Sequence, residues 1–335
     1  MNDVFGFTKK VARIFNLVAI AVAWAHSLSA QDIHFSQIDI NPVMTNPAYM
    51  GFFEGFGRIG VAYRSQWSSV SKPYQTYLLS GEFSLKRNPY QRSGLNIGVL
   101  CYRDKAGTLA YGTTSASLLL SYYRSINGRN NNYLSMAVEV GYAQSGFDPA
   151  DASLFDPSEH ITTSAVSYPV VGAGLAWYYQ FSDVLLTKVG LSARNLNSPN
   201  ISYLGLDETH LQRHYTLYTR FEYRCWESVA LLPVAVVQLQ GQNSEWCYGV
   251  DARWYLDEST QRQISVAGGI LMRHADAAIV NLSASYNAFT VNIAYDANYS
   301  KLLPASKSFG AIELGIVYCF NKKTAKYKPL PCPVM

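Results

Sequence analysis

The chain has 335 residues, 49% of them hydrophobic and only 15% charged, with 25 Tyr, 15 Phe and 6 Trp. Low charge with so many aromatics excludes a disordered chain and fits a protein that shows apolar surface to something other than water. The formal net charge is +4, but Lys9, Lys10 and Arg13 against Asp3 fall in the first thirty residues. The remainder is nearly neutral, and no basic stripe points to nucleic acid as a partner.

Residues 1–30 read as a secretory signal peptide. Lys9, Lys10 and Arg13 form its positive start, Ile14 to Trp24 its short apolar stretch, and Ser27-Leu28-Ser29-Ala30 its small-residue cleavage site before Gln31. The apolar stretch is too short to span about 30 Å of hydrocarbon. The first cysteine is Cys101, so no lipid-bearing Cys follows the cut. The five cysteines show no C-x-x-C spacing, and neither a disulfide framework nor a zinc ribbon follows from them.

Residues 31–55 lack strand alternation and carry two Asn-Pro steps, Asn41-Pro42 and Asn46-Pro47, which favour turns and deny strand hydrogen bonds. Two readings stay open: a periplasmic linker or docking segment, or a plug folded into a barrel mouth around the Asn41 and Asn46 turns.

From residue 56 to residue 320 the pattern has period two. Leu134, Met136, Val138, Val140 and Tyr142 fall on one face, and Ser135, Ala137, Glu139, Gly141 and Ala143 on the other. Phe289 to Asp296 alternates likewise. In the last segment Ile312, Leu314, Ile316, Tyr318 and Phe320 oppose Ala311, Glu313, Gly315, Val317 and Cys319. A helix would mix these sets; a strand separates them.

Fourteen such segments begin near residues 56, 74, 93, 109, 133, 168, 184, 210, 228, 244, 262, 276, 288 and 309. Many run ten residues or more, the length of a tilted membrane strand, and the count is even. The longest connections, 145–167, 196–209 and 299–308, all follow odd strands, as the outer loops of such a barrel would.

The expected fold is therefore an all-β transmembrane antiparallel barrel of about 14 strands, exported to the outer membrane and bathed in its lipid. A soluble sandwich alternates too. The small or charged polar face separates the two, because it suits a wet lumen. Arg58, Arg64, Glu82, Glu139, Arg220, Glu222, Arg253 and Glu313 are expected inside as a structural charge ladder, with Arg194, Arg224 and Asp251 on the same face. Residues 321–335 are left as a periplasmic tail.

No motif argues for chemistry. No G-x-S-x-G, P-loop or EF-hand pattern occurs. His210 and His214 have H-x-x-x-H spacing, but Leu211-Gln212-Arg213 lacks a catalytic Glu, and on a strand the two lie about 13 Å apart. Lumen carboxylates such as Glu82, Glu139 and Asp251 sit among arginines, which favours ion pairs over catalysis. The acidic, aromatic 145–167 loop, with Asp148, Asp151 and Asp156, matches no calcium-loop spacing. No enzyme activity, cofactor, metal or small-molecule substrate is expected.

Three stretches carry a family resemblance. The first is Gln31-Asp32-Ile33-His34-Phe35-Ser36-Gln37 with Asn41-Pro42 and Asn46-Pro47-Ala48. The second is Tyr63-Arg64-Ser65-Gln66-Trp67 with Pro73-Tyr74. The third holds Gly269 with Arg273, Asp276-Ala277, Tyr295-Asp296 with Ser300, Glu313 and Cys332-Pro333. In this order they resemble the PorP/SprF family; residues 105–260 match it only in strand rhythm. The resemblance implies an outer-membrane barrel of type IX secretion and gliding machinery that docks a secreted adhesin or cargo, or a translocon component. The rival expectation is a transport channel, since fourteen strands can enclose a lumen.

Overall fold

The computed structural model describes residues 35–38, 40–53, 55–69, 72–88, 92–107, 111–128, 131–147, 164–203, 209–258, 263–300 and 303–320. The expected signal peptide, the C-terminal tail and most of the acidic loop lie outside these residues. Fourteen strands close into one antiparallel barrel. They are β1 (Gly57–Gln66), β2 (Tyr74–Asn88), β3 (Ser93–Ala106), β4 (Tyr111–Ser125), β5 (Asn132–Gly146), β6 (Ala165–Ser182) and β7 (Leu185–Arg194). The second half comprises β8 (His214–Trp226), β9 (Val229–Gln240), β10 (Asn243–Glu258), β11 (Gln263–Arg273), β12 (Ala277–Tyr286), β13 (Phe289–Asn298) and β14 (Phe309–Phe320).

Each strand pairs with its sequence neighbour, and β1 closes on β14 in a ten-residue register from Gly57 opposite Phe320 to Gln66 opposite Ala311. Closure leaves no unpaired edge, which a sheet in hydrocarbon requires. Among the described residues no helix is long and apolar enough to cross a membrane.

Strand starts agree with the sequence reading to within two residues except at β6, which begins at Ala165, and β8, which begins at His214. Residues 210–213 stay outside β8. There His210 instead makes an isolated bridge to Asn200, and its Nδ1 lies 2.9 Å from the Ser198 carbonyl oxygen.

The alternation resolves into two faces. Leu118, Val140 and Leu282 are more than half exposed at 63%, 60% and 61%, while the intervening Leu119 and Glu139 are buried. Valine, leucine and isoleucine form the middle of the outer surface. Phe56, Tyr286, Phe289 and Trp226 ring one end, and Tyr77, Tyr111, Tyr142 and Phe309 the other, as interfacial girdles do. The connections at the first end are short, 183–184, 227–228 and 287–288 among them. The long connections, 147–164, 195–213 and 299–308, gather at the second end. We call these the turn end and the loop end.

Candidate functional site

The inward face does not line an open pore. Residues 35–38 and 40–53 run down the lumen from the loop end to the turn end, and Gly55 and Phe56 lead into β1. Their path follows from local chemistry. Pro42 starts a one-turn helix, Pro42–Thr45, whose missing N–H costs nothing at that position. Asn46 ends it in extended backbone and opens a 3-10 turn, Pro47–Tyr49, by accepting the Ala48 N–H at 2.8 Å. Asn41, Pro42, Asn46 and Pro47 are all buried in the lumen.

At the loop end the segment meets a charge cluster. Glu313 of β14 accepts the backbone N–H groups of Ser36 at 2.7 Å and of Gln37 at 3.0 Å, and also pairs with Arg64 of β1. The Ser36 hydroxyl donates to Asp296 Oδ1 at 2.8 Å and accepts from Arg64 at 2.9 Å and Arg273 at 2.6 Å. Arg273 also reaches Asp296 at 3.0 Å, Asp276 at 3.2 Å and Glu245 at 3.7 Å. All three stretches that carry the family resemblance converge here.

Six residues down β1, roughly 20 Å along the strand, a smaller cluster repeats the device. Arg58 pairs with Glu82, and Glu82 Oε2 accepts the Gly51 N–H at 3.0 Å. Between the clusters, Asn41 Oδ1 accepts from the Ser80 hydroxyl at 2.6 Å. Ser192 donates to the Thr45 carbonyl at 2.7 Å. The Asn46 amide donates to the Leu175 carbonyl of β6 at 2.9 Å and the Leu191 carbonyl of β7 at 3.1 Å.

Those carbonyls are reachable because the neighbouring inward positions are glycines. A Cβ on Gly174 would fall 2.1 Å from Asn46 Oδ1, and one on Gly190 would fall 2.1 Å from the Tyr49 hydroxyl. At β14, a Cβ on Gly315 would meet Ile40 at 2.3 Å. The missing side chains are the seat.

Apolar packing completes the grip. Val43 and Met50 pack in one cluster with Ala62, Leu78, Leu100 and Leu119. Phe52 stacks on Tyr178 at 3.6 Å between ring centroids and lies against Tyr123 and Tyr133. Tyr49 sits between Tyr178 and Tyr218, and the Lys188 ammonium lies 3.8 Å over its ring. Each fully buried Val, Met or Phe side chain contributes about 1.5–3 kcal/mol.

The expected inward charges all lie on the inner face, but they form separate groups rather than one ladder. Glu139 receives a two-pronged contact from Arg194, at 2.7 and 3.0 Å. Arg220 pairs with Asp251 at 3.2 Å. Glu222 accepts from the Tyr255 hydroxyl at 2.7 Å instead of pairing with an arginine. Among the described residues Arg253 makes no ion pair. Arg224 reaches Glu258 near the turn-end rim. Among the described residues no group of three or more His, Cys, Asp or Glu is placed to hold a metal ion.

Ser36, Gln37, Tyr49, Met50 and Phe52 were not legible as contact residues, and neither was Lys188. The small inward residues Gly172, Gly174 and Ala176 gave the available signal: a wall that thin leaves room for something inside it.

A closed barrel with an apolar outer band, two aromatic rings and its own N-terminal segment in the lumen is a transmembrane β-barrel of the outer-membrane kind. The chain belongs to the PorP/SprF family of type IX secretion system membrane proteins, whose model matches residues 27–318. No curated protein is similar to it in sequence. Among solved structures it resembles a Pseudomonas aeruginosa FadL homologue, with a TM-score of 0.51 and 11% identity over 84% of this chain and 94% of that one. It also resembles the Ralstonia pickettii toluene transporter TbuX, with a TM-score of 0.51 and 10% identity over 84% and 93% of the two chains. These likenesses concern the barrel fold.

Proposed function

We propose that this barrel is a docking partner in type IX secretion, binding a secreted adhesin or cargo protein, or a translocon component, in the outer membrane. It acts by binding and positioning, with no bond-making step. One observation supports this reading over transport most directly: residues 35–38 and 40–53 occupy the lumen and are tied to the wall at both ends. Family membership supports the type IX setting, and a role in gliding would follow where the cargo is a motility adhesin. The long loops at 147–164 and 195–213 and the short turns at the opposite end are the surfaces such a partner would meet.

The rival is a channel, suggested by the fold shared with a toluene transporter. Two measurements decide between them. Purified barrel in liposomes should pass no small or aromatic solute, and barrel extracted gently from outer membranes should bring a type IX cargo or translocon protein with it in fixed ratio. Solute flux together with a barrel that purifies alone would overturn the docking reading.

A further inference from the structure

The turn end of the barrel is divided by charge. The strand ends and turns from β2 to β5 carry Lys86, Arg87, Arg92, Arg124 and Arg129, and between Phe83 and Val138 the only carboxylate is Asp104. Asp104 lies near the loop end, on the inner face, where it accepts from the Thr76 hydroxyl at 2.6 Å. The turns from β6 to β11 instead hold Asp183, Glu227, Asp257 and Glu258 against Arg224 and Arg262.

Two of the basic residues lie on the lipid side of the wall. Cross-strand partners share a face. Lys86 of β2 is opposite Leu95 of β3, which is opposite Tyr122 of β4. Arg124 of β4 is opposite Leu134 of β5, which is opposite Trp177 of β6. Tyr122 and Leu134 are 39% and 42% exposed on the outer surface, and Lys86 and Arg124 are exposed beside them. Tyr122 and Trp177 mark the level at which aromatic rings meet lipid headgroups. Lys86 and Arg124 stand two inter-strand spacings apart, about 10 Å, and one outward position apart along the strands. Both long side chains can therefore close on one group lying over β3. Among the described residues neither makes an ion pair or a side-chain hydrogen bond.

We propose that this rim is a binding site for an anionic phospholipid of the periplasmic leaflet, its phosphate held by Lys86 and Arg124. The short connections make the turn end periplasmic. A guanidinium fork matches two phosphate oxygens, and an ammonium adds a point charge. Deeper on the same face, Leu95, Ile97 and Leu120 offer the apolar surface that acyl chains require. A soluble acidic partner would meet the turns from below and leave the sideways-facing Lys86 and Arg124 unused.

The test is native mass spectrometry of the full-length barrel, released from neutral detergent after exposure to equimolar phosphatidylglycerol and phosphatidylcholine with the same acyl chains. Phosphatidylglycerol should be retained in preference. Lys86→Gln and Arg124→Gln should each weaken that retention about fivefold, and the double variant should lose the preference. Arg103→Gln, on the lipid face at the loop end opposite Tyr77, should keep it. Should the double variant fail to fold, the two single variants carry the test. Equal retention of the two lipids, a preference unchanged in the variants, or an equal loss in Arg103→Gln would overturn the proposal. Displacement of the lipid by poly-glutamate would mark the rim as a surface for an acidic protein. Displacement by glycerol 3-phosphate would mark a site for the free ester. Either result would overturn the lipid assignment.

Discussion

The plug meets two walls of the barrel on different terms. Against β4 to β7 it is seated closely, with Asn46 on the carbonyls of Leu175 and Leu191 and Tyr49 over the bare Cα of Gly190. Against β10 to β13 it touches the wall at the loop end, where Ser36 meets Arg273 and Asp296, but stands off below, where the inward residues Ala267, Asn281, Ser283, Thr290 and Asn292 face a cavity. Both walls alternate, both are polar inside and both turn apolar residues to lipid. Alternation therefore reports which residues face inward, while residue size and hydrogen-bonding partners decide what the inside holds.

The largest effect should come from the one carboxylate that ties plug to barrel closure. Glu313→Ala removes the acceptor of two plug N–H groups and leaves Arg64 short of a partner, so unfolding stability in lipid vesicles should fall by about 3–5 kcal/mol. A fall near that expected for an exposed pair would mean that the loop-end cluster does not anchor the segment. On the outer face of the same strand, Ile316→Arg should cost about 2–4 kcal/mol by placing a charge against acyl chains. Indifference to that change would remove Ile316 from the lipid-facing set.

The contrast between the walls predicts a smaller but more telling pair. Gly190→Val pushes into Tyr49 and Asn46 and should destabilise by about 1–3 kcal/mol, the usual cost of overfilling a packed site. Ser283→Val, facing the cavity, should change stability by no more than about 0.5 kcal/mol. Equal costs at both positions, read from urea unfolding curves, would erase the distinction between walls. Small as well, Arg224→Ala at the rim should cost about 0.2–1 kcal/mol, since its partner Glu258 has a side chain 46% exposed.

The barrel was legible because its signal is repeated fourteen times and most repeats alternate through the middle of the strand. The irregularities fall near strand ends, at Ser84/Lys86, Gln180/Ser182, Arg224/Trp226, Tyr255/Asp257 and Asp296/Ala297, where a bulge shifts the register without disturbing the central band. The two Asn-Pro steps marked residues 31–55 as something other than strand. They left open whether the segment lay inside, because that depends on contacts across hundreds of residues. Ser36 touches Arg64, Arg273, Asp296 and Glu313, and no local pattern reports a contact 277 residues away. The expectation of a charge ladder captured the inward arginines and carboxylates, but not that Glu82 and Glu313 use their remaining oxygens on plug backbone. Nor did it separate Arg253 from its paired neighbours, since pairing depends on rotamers and register rather than on parity.

The central claim is that residues 35–53 fill a lumen that would otherwise be open. Planar-bilayer recordings of the full chain and of a variant lacking residues 35–53 test it directly. The account predicts little or no current from the full chain and a stable, large conductance from the deletion variant, with the barrel still folded by circular dichroism. Equal currents from the two folded proteins would contradict it.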